Sequence, residues 1–338
     1  MPHHQRRALV AGGAGFLGSH LCEALLAQGM AVVCLDNLQT GARANILPYL
    51  GHPAFLFVEA DVTAPLPRIV TADRFDEIYN LACPASPPAY QADPEHTLLT
   101  SVLGTLHLLR AAERTGARLL LASTSEIYGD PLEHPQHEDY RGNVSSTGPR
   151  ACYDEGKRAA ETLAFDFERA GRASVRVARI FNTYGPRLGA QDGRVVSNLI
   201  VQALSGEPMT IYGRGDQTRS FCYVDDLVAG LIALMRYNGA QPGPVNLGNP
   251  GEVTMLDLAR RVAALTGRDD APVHLPLPID DPRRRCPDIG RAGTVLGWRP
   301  GTSLADGLVA TVAWFAGNAT SQQQRRPVPA RAPGALAL

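Results

Sequence analysis

The chain has 338 residues, 45% of them hydrophobic and 19% charged, an ordinary globular balance with material for one large core or two coupled ones. Its net charge of −1 lacks the basic excess that nucleic acid or an anionic membrane surface demands, so a phosphate-bearing ligand has to meet a local cluster of basic groups. No apolar run reaches the roughly 18–20 residues of a membrane span, the first expected strand begins a few residues after Met1, and the six cysteines show no paired metal-ligand spacing; a cytoplasmic protein with free thiols and no metal is expected.

Short β-branched runs alternate with helical patterns through the first half. Strands are expected at Ala8–Val10, Ala31–Leu35, Phe55–Val58, Glu77–Ala82, Arg118–Ala122 and Val175–Ile180, with helices at Leu17–Gln28, Glu95–Arg114 and Tyr153–Arg169. Non-alternating apolar strands joined by helices make an α/β protein with a Rossmann-type, doubly wound parallel sheet. After Asn182 the rhythm loosens into a smaller α/β region: a helix at Val195–Ser205, a strand at Thr210–Tyr212, a helix at Asp225–Arg236, a strand at Pro244–Leu247 and a helix at Met255–Thr266. The expected division is a first domain over 1–186, a smaller one over 187–318 with segments returning to the first, and a disordered Pro/Ala/Gln-rich tail over 319–338.

Gly12-Gly13-Ala14-Gly15-Phe16-Leu17-Gly18 follows the first strand and opens the first helix. Gly12, Gly15 and Gly18 allow a tight turn, close approach to a pyrophosphate and close packing of helix on strand, with Phe16 and Leu17 on the first helical turn. Asp36 ends the next strand about twenty residues on, where a carboxylate accepts hydrogen bonds from the ribose hydroxyls of NAD and repels the 2′-phosphate of NADP. Asn37 follows it, and Arg43 is the one basic residue nearby. Asp61-Val62, after the third strand, stands where an adenine amino group is met or where a strand-end turn takes an acid.

The chain contains 31 arginines and one lysine, Lys157, four residues after Tyr153 in Tyr153-Asp154-Glu155-Gly156-Lys157. That spacing puts a phenol and an ammonium on one helix face, where a cation favours the phenolate. A hydroxyl partner is expected at the end of the preceding strand, in Ser123-Thr124-Ser125-Glu126-Ile127-Tyr128-Gly129.

These stretches, with Pro84-Ala85-Ser86-Pro87-Pro88, Gly148-Pro149-Arg150-Ala151-Cys152 before Tyr153, Arg179-Ile180-Phe181-Asn182-Thr183-Tyr184-Gly185-Pro186-Arg187 and Asp192-Gly193-Arg194-Val195-Val196-Ser197-Asn198, resemble the extended short-chain dehydrogenase/reductase family over roughly residues 7–316. Within it they look most like UDP-glucuronate decarboxylases. The resemblance implies Thr124, Tyr153 and Lys157 as the catalytic set, Glu126 for acid/base work in decarboxylation, and Arg285, within Arg283-Arg284-Arg285, beside the substrate carboxylate. It implies Leu81 and Ala82 on the cofactor. Pro84, Ser86, Asn182, Arg187, Arg194 and Arg219 are implied on UDP-glucuronate, and a homodimer built on the two long helices. Three residues depart from the family pattern: Ala11 for threonine, Cys83 for serine and Ser101 for asparagine. Related activities on this fold are 4,6-dehydration and 4-epimerisation, and an NAD-sensing regulator is the non-enzymatic alternative.

Overall fold

Seven strands form one parallel sheet in the computed structural model, which describes residues 5–277 and 284–324. In chain order they are β1 (Arg7–Ala11), β2 (Ala31–Asp36), β3 (Phe55–Glu59), β4 (Glu77–Asn80), β5 (Arg118–Thr124), β6 (Ser174–Ile180) and β7 (Pro244–Leu247). The spatial order is 3-2-1-4-5-6-7, so the winding reverses between β1 and β4, where Val10 lies beside Cys34 on one side and Tyr79 on the other. Ligands of doubly wound sheets bind at the carboxyl ends of the strands beside such a reversal.

Helices cover both faces. On one, α1 (Phe16–Ala27) and a helix at Val224–Arg236 bury Leu21, Leu25, Leu227 and Leu231 against Val10, Cys34 and Leu120. On the other, α2 (Thr105–Thr115) and α3 (Ala151–Arg169) bury Leu108, Leu109, Ala160, Ala164 and Phe167 against Leu9, Ile78, Leu119 and Leu121. A third core lies apart, under helices Val195–Leu204, Met255–Thr266 and Leu304–Gln324, around Leu199, Leu258 and Leu308. The helix at Val224–Arg236 and β7 come from beyond residue 187 yet complete the first core.

Two expectations change. The helix foreseen over Glu95–Arg114 runs as Pro94–Leu99, a π-helical turn at Thr100–Gly104, then α2. The wider turn carries the buried Ser101 next to α3, where a Cβ on Gly156 would lie 3.1 Å from the Ser101 Cβ. The last helix continues to Gln324, so the first residues of the expected tail are helical, while 325–338 lie outside the described residues. Arg283 lies outside them too. No helix among the described residues is long and apolar enough to cross a membrane.

Candidate active site

One cleft of about 1330 Å³ runs over the carboxyl ends of the strands and up to the third core. It exceeds the roughly 300–1,000 Å³ of an ordinary small-molecule pocket and has room for two large ligands end to end. Every site residue expected from the sequence lines it.

The glycine loop forms its floor. Gly12 has φ +80°, and a Cβ there would press within 2.8 Å of the Leu81–Ala82 backbone. A Cβ on Gly18 would lie 2.0 Å from the Gly12 carbonyl oxygen, so this residue serves helix–strand packing. Gly15 is different: a Cβ there meets only that same oxygen, at 3.2 Å, and otherwise fills open cleft. Gly15 is the N-cap of α1, without a side-chain cap and without an acid in the first turn, which leaves the first-turn N–H groups for an anion. The loop therefore fits a pyrophosphate. Asp36 Oδ2 accepts from Ala14 N at 2.9 Å and Oδ1 from Leu38 N at 2.8 Å, so the carboxylate is fixed beneath the loop. Burial pushes its pKa up against those N–H groups. Arg43 lies against Glu59 and the Phe57 ring and is not among the residues that line the cleft. Asp61 accepts from Thr63, Asn37 and His96, bonds that hold its pKa down to about 2 against the upward push of burial. It orders the turn after β3, with Val62 beside it on the cleft wall.

Tyr153 and Lys157 sit on the cleft side of α3, which is anchored to the sheet by Glu161. That carboxylate accepts from Arg179 at 2.8 and 3.0 Å and from Ser123 Oγ. Tyr153 is hydrogen-bonded to Thr124, and the Lys157 ammonium lies 5.8 Å from the Tyr153 ring centroid while donating to the Ala122 carbonyl at 2.9 Å. Burial pushes the Tyr153 phenol well above its ordinary value and the Lys157 ammonium below its own. The tyrosine thus stays neutral until a further positive charge enters the cleft.

Glu126 and Arg285, given separate roles by the resemblance, face each other. Both Glu126 oxygens accept from Arg285, one at 2.7 Å, and Arg150 donates to Oε1 at 3.2 Å. Burial pushes Glu126 up, but Arg285, Arg150 and then Arg219 outweigh it and hold the carboxyl below its usual range. Arg285 lies on the short strand Arg284–Arg285, paired with Arg219 on Thr218–Ser220, so the two guanidinium carriers share one small sheet.

Two residues had no assigned role in the sequence. Arg150 stands three residues before Tyr153, one helical turn back, a spacing that could have marked it. Tyr90 stacks on Tyr153 with centroids 5.1 Å apart and planes 5° from parallel, which no linear pattern announces. Arg187 lines the cleft and also makes a structural tie. One nitrogen of its guanidinium is engaged by Glu23 and by the Tyr49 hydroxyl at 3.1 Å, which ties the cleft wall to α1. Arg194 leans on Asp192 at 2.9 Å, and Asn182, Arg194 and Arg219 remain on the cleft wall. Pro84 and Ser86 line the cleft beside Cys83, whose Sγ lies 3.3 Å from Ser101 Oγ. Two of the three departures from the family pattern are thus one contact.

Residues 8–248 match the family described as the NAD dependent epimerase/dehydratase family. UDP-glucuronic acid decarboxylase 6 of Arabidopsis thaliana is 54% identical over 303 residues, 89% of this chain and 86% of that protein. UDP-glucuronic acid decarboxylase 1 of Danio rerio is 50% identical over 325 residues, 96% of this chain and 76% of that protein. Among solved structures, a UDP-glucuronic acid 4-epimerase from Bacillus cereus in complex with UDP-glucuronic acid and NAD superimposes with a TM-score of 0.83 at 27% identity, covering 92% of this chain and 99% of that one.

Proposed function

The chain belongs to the NAD-dependent epimerase/dehydratase family, and from that premise we propose that it decarboxylates UDP-glucuronate to UDP-xylose, with the sugar passing through a C4 ketone. The observation that carries this reading is the placement of Glu126 under Arg285 and Arg150 in the same cleft as the Thr124–Tyr153–Lys157 set. The half-identical decarboxylases support it. Residues 1–186 hold the cofactor and 187–318 mainly the nucleotide sugar.

Gly12, Gly15 and the first turn of α1 would cradle NAD and Asp36 would select it, and when bound it would supply hydride removal and return at C4, which makes the net reaction redox-neutral. The chain's own groups handle protons and charge. Tyr153, oriented by Thr124, takes the C4 hydroxyl proton and later gives it back. Lys157, held by the Ala122 carbonyl, favours the phenolate. Arg285 and Arg150 receive the substrate carboxylate, since guanidinium forks match that anion. In the ketone that carboxylate is β to the carbonyl, and carbon dioxide departs as its bond electrons pass into an enolate. Glu126 loses guanidinium partners to the incoming carboxylate, so its proton affinity rises and it takes up a proton from solvent. When carbon dioxide leaves, the guanidinium groups return to Glu126 and the proton passes to C5. Asn182, Arg194 and Arg219 hold the UDP portion.

The protein acts as a homodimer through the helical run of residues 94–115 and α3, with Leu98 and Leu99 exposed on the first of these. It works in the cytoplasm, in keeping with six unpaired thiols. Incubation with UDP-glucuronate tests the whole reading. Carbon dioxide and a UDP-pentose should form without net NADH. A UDP-hexuronate epimer and no carbon dioxide would make the enzyme an epimerase instead.

A further inference from the structure

Outside the cleft, three potential metal ligands of different chemistry meet from three separate segments. His134 lies in the loop after β5, Glu252 on the strand Glu252–Thr254, and Cys286 just beyond the strand Arg284–Arg285. One ligand atom from each lies within 4.8 Å of the others, the only such group among the described residues. His134 Nε2 and Glu252 Oε2 are 3.0 Å apart. A tetrahedral zinc with bonds of about 2.0–2.3 Å spaces its ligand atoms by roughly 3.3–3.8 Å, so the thiol needs to close by about 1.5 Å at most.

The surroundings hold these groups in place. Gln136, two residues from His134, donates its backbone N–H to the Cys286 carbonyl at 2.9 Å and accepts the Cys286 N–H on Oε1 at 2.9 Å. Asp288 N donates to the Gln136 carbonyl at 2.9 Å. The second Glu252 oxygen accepts from Thr218 Oγ1 at 2.6 Å, an outer bond of the kind that orients metal carboxylates. Cys286 is buried while His134 and Glu252 are exposed, so an ion can enter from solvent and meet the thiol on the inner side.

We propose that His134, Glu252 and Cys286 bind one divalent transition-metal ion, zinc being the best match to a thiolate, imidazole and carboxylate set, with solvent as the fourth ligand. Binding releases the thiol proton to solvent and forms metal–sulfur, metal–nitrogen and metal–oxygen bonds without redox change. The ligands span the small sheet whose central and outer strands carry Arg219 and Arg285. A bound ion stiffens that carrier and couples metal supply to the geometry of two cleft arginines.

The test uses the full chain, reduced and stripped with chelator, titrated with cobalt(II) and then zinc(II). A near-ultraviolet thiolate-to-cobalt absorption should rise to one equivalent and be bleached by zinc. Cys286→Ser should abolish it, and His134→Gln should weaken cobalt binding at least tenfold. Zinc should raise the melting temperature of the wild-type chain and not of either variant. No thiolate band in the wild type, or a band unchanged in Cys286→Ser, overturns the proposal; the second result means an adventitious ion on another of the cysteines. If Cys286→Ser does not fold, the exposed His134→Gln decides, since unchanged cobalt affinity there is equally fatal.

Discussion

Tyr153 and Glu126 are both buried in one cleft, and their neighbours send them in opposite directions. Burial leaves the phenol protonated, whereas three guanidinium groups keep the carboxylate ionised in spite of burial. They should therefore fail at different steps. Tyr153→Phe removes the acceptor for the C4 proton, and carbon dioxide release should fall at least ~100-fold, with UDP-xylose binding retained in calorimetry. Glu126→Gln keeps the Tyr153–Lys157 pair, so reduced cofactor should still appear on mixing with UDP-glucuronate while UDP-xylose formation collapses. Equal loss of both signals in the two variants would leave no basis for separate roles. Asp154, next to Tyr153, has no place in this chemistry, yet burial and then Glu126 push its carboxyl up to about 7, while one of its oxygens is buried without a hydrogen bond. The folded chain keeps that proton up to about pH 7, but the unfolded chain gives it up near the ordinary 3.8. Between those values the folded state binds more protons, so stability falls as pH rises, and the full cost stands above about 7. Asp154→Asn should match the wild type in urea denaturation at pH 4 and exceed it at pH 8 by about 1–3 kcal/mol. A difference that does not change with pH would refute this.

At the scale of elements, the turn between β1 and α1 separates two uses of glycine. Gly18 keeps the helix against the strand, since a Cβ would lie 2.0 Å from a backbone oxygen that cannot move aside. Gly15 keeps the cleft open, since its Cβ meets one atom at 3.2 Å. Gly18→Ala should lower the melting temperature and NAD affinity together, whereas Gly15→Ala should leave melting of the ligand-free chain within a degree or two and weaken NAD at least tenfold. Fluorescence quenching by NAD beside a thermal melt distinguishes them; a Gly15→Ala chain with full affinity would mean that the cradle is not used. The π turn at Thr100–Gly104 belongs to the same scale. Its extra residue sets Ser101 against Cys83 at the end of β4, in keeping with the way π turns collect near functional clefts.

For the whole molecule, the helical run of residues 94–115 and α3 divide their apolar residues between two tasks. Leu108 and Leu109 are buried in the chain's own core, so Leu109 is not available to a partner, whereas Leu98 and Leu99 each stay 40% exposed. Those exposed leucines, beside the outer face of α3, are the surface on which the proposed homodimer would depend. Light scattering at micromolar concentration should give twice the mass of the chain, and Leu98→Glu with Leu99→Glu should give the single mass with near-normal melting. A wild-type monomer would remove the dimer.

The sequence by itself determined the parallel sheet, the glycine turn and the placing of Tyr153 and Lys157 on one helix face, because each depends on contacts a few residues apart or on a periodicity that short windows carry, whereas Thr124 is singled out by the family resemblance. Gly12 adopts a φ of +80° in the tight turn, a conformation that glycine permits, and Tyr153 and Lys157 share a helix face by spacing alone. Only the tertiary structure decided which charges meet. Arg187 reaches Glu23, 164 residues away, and Arg285 reaches Glu126 across 159. Nothing local fixes such pairs. In a chain with 31 arginines, burial and the partner brought in by the fold determine which guanidinium grips an anion and which one braces a helix.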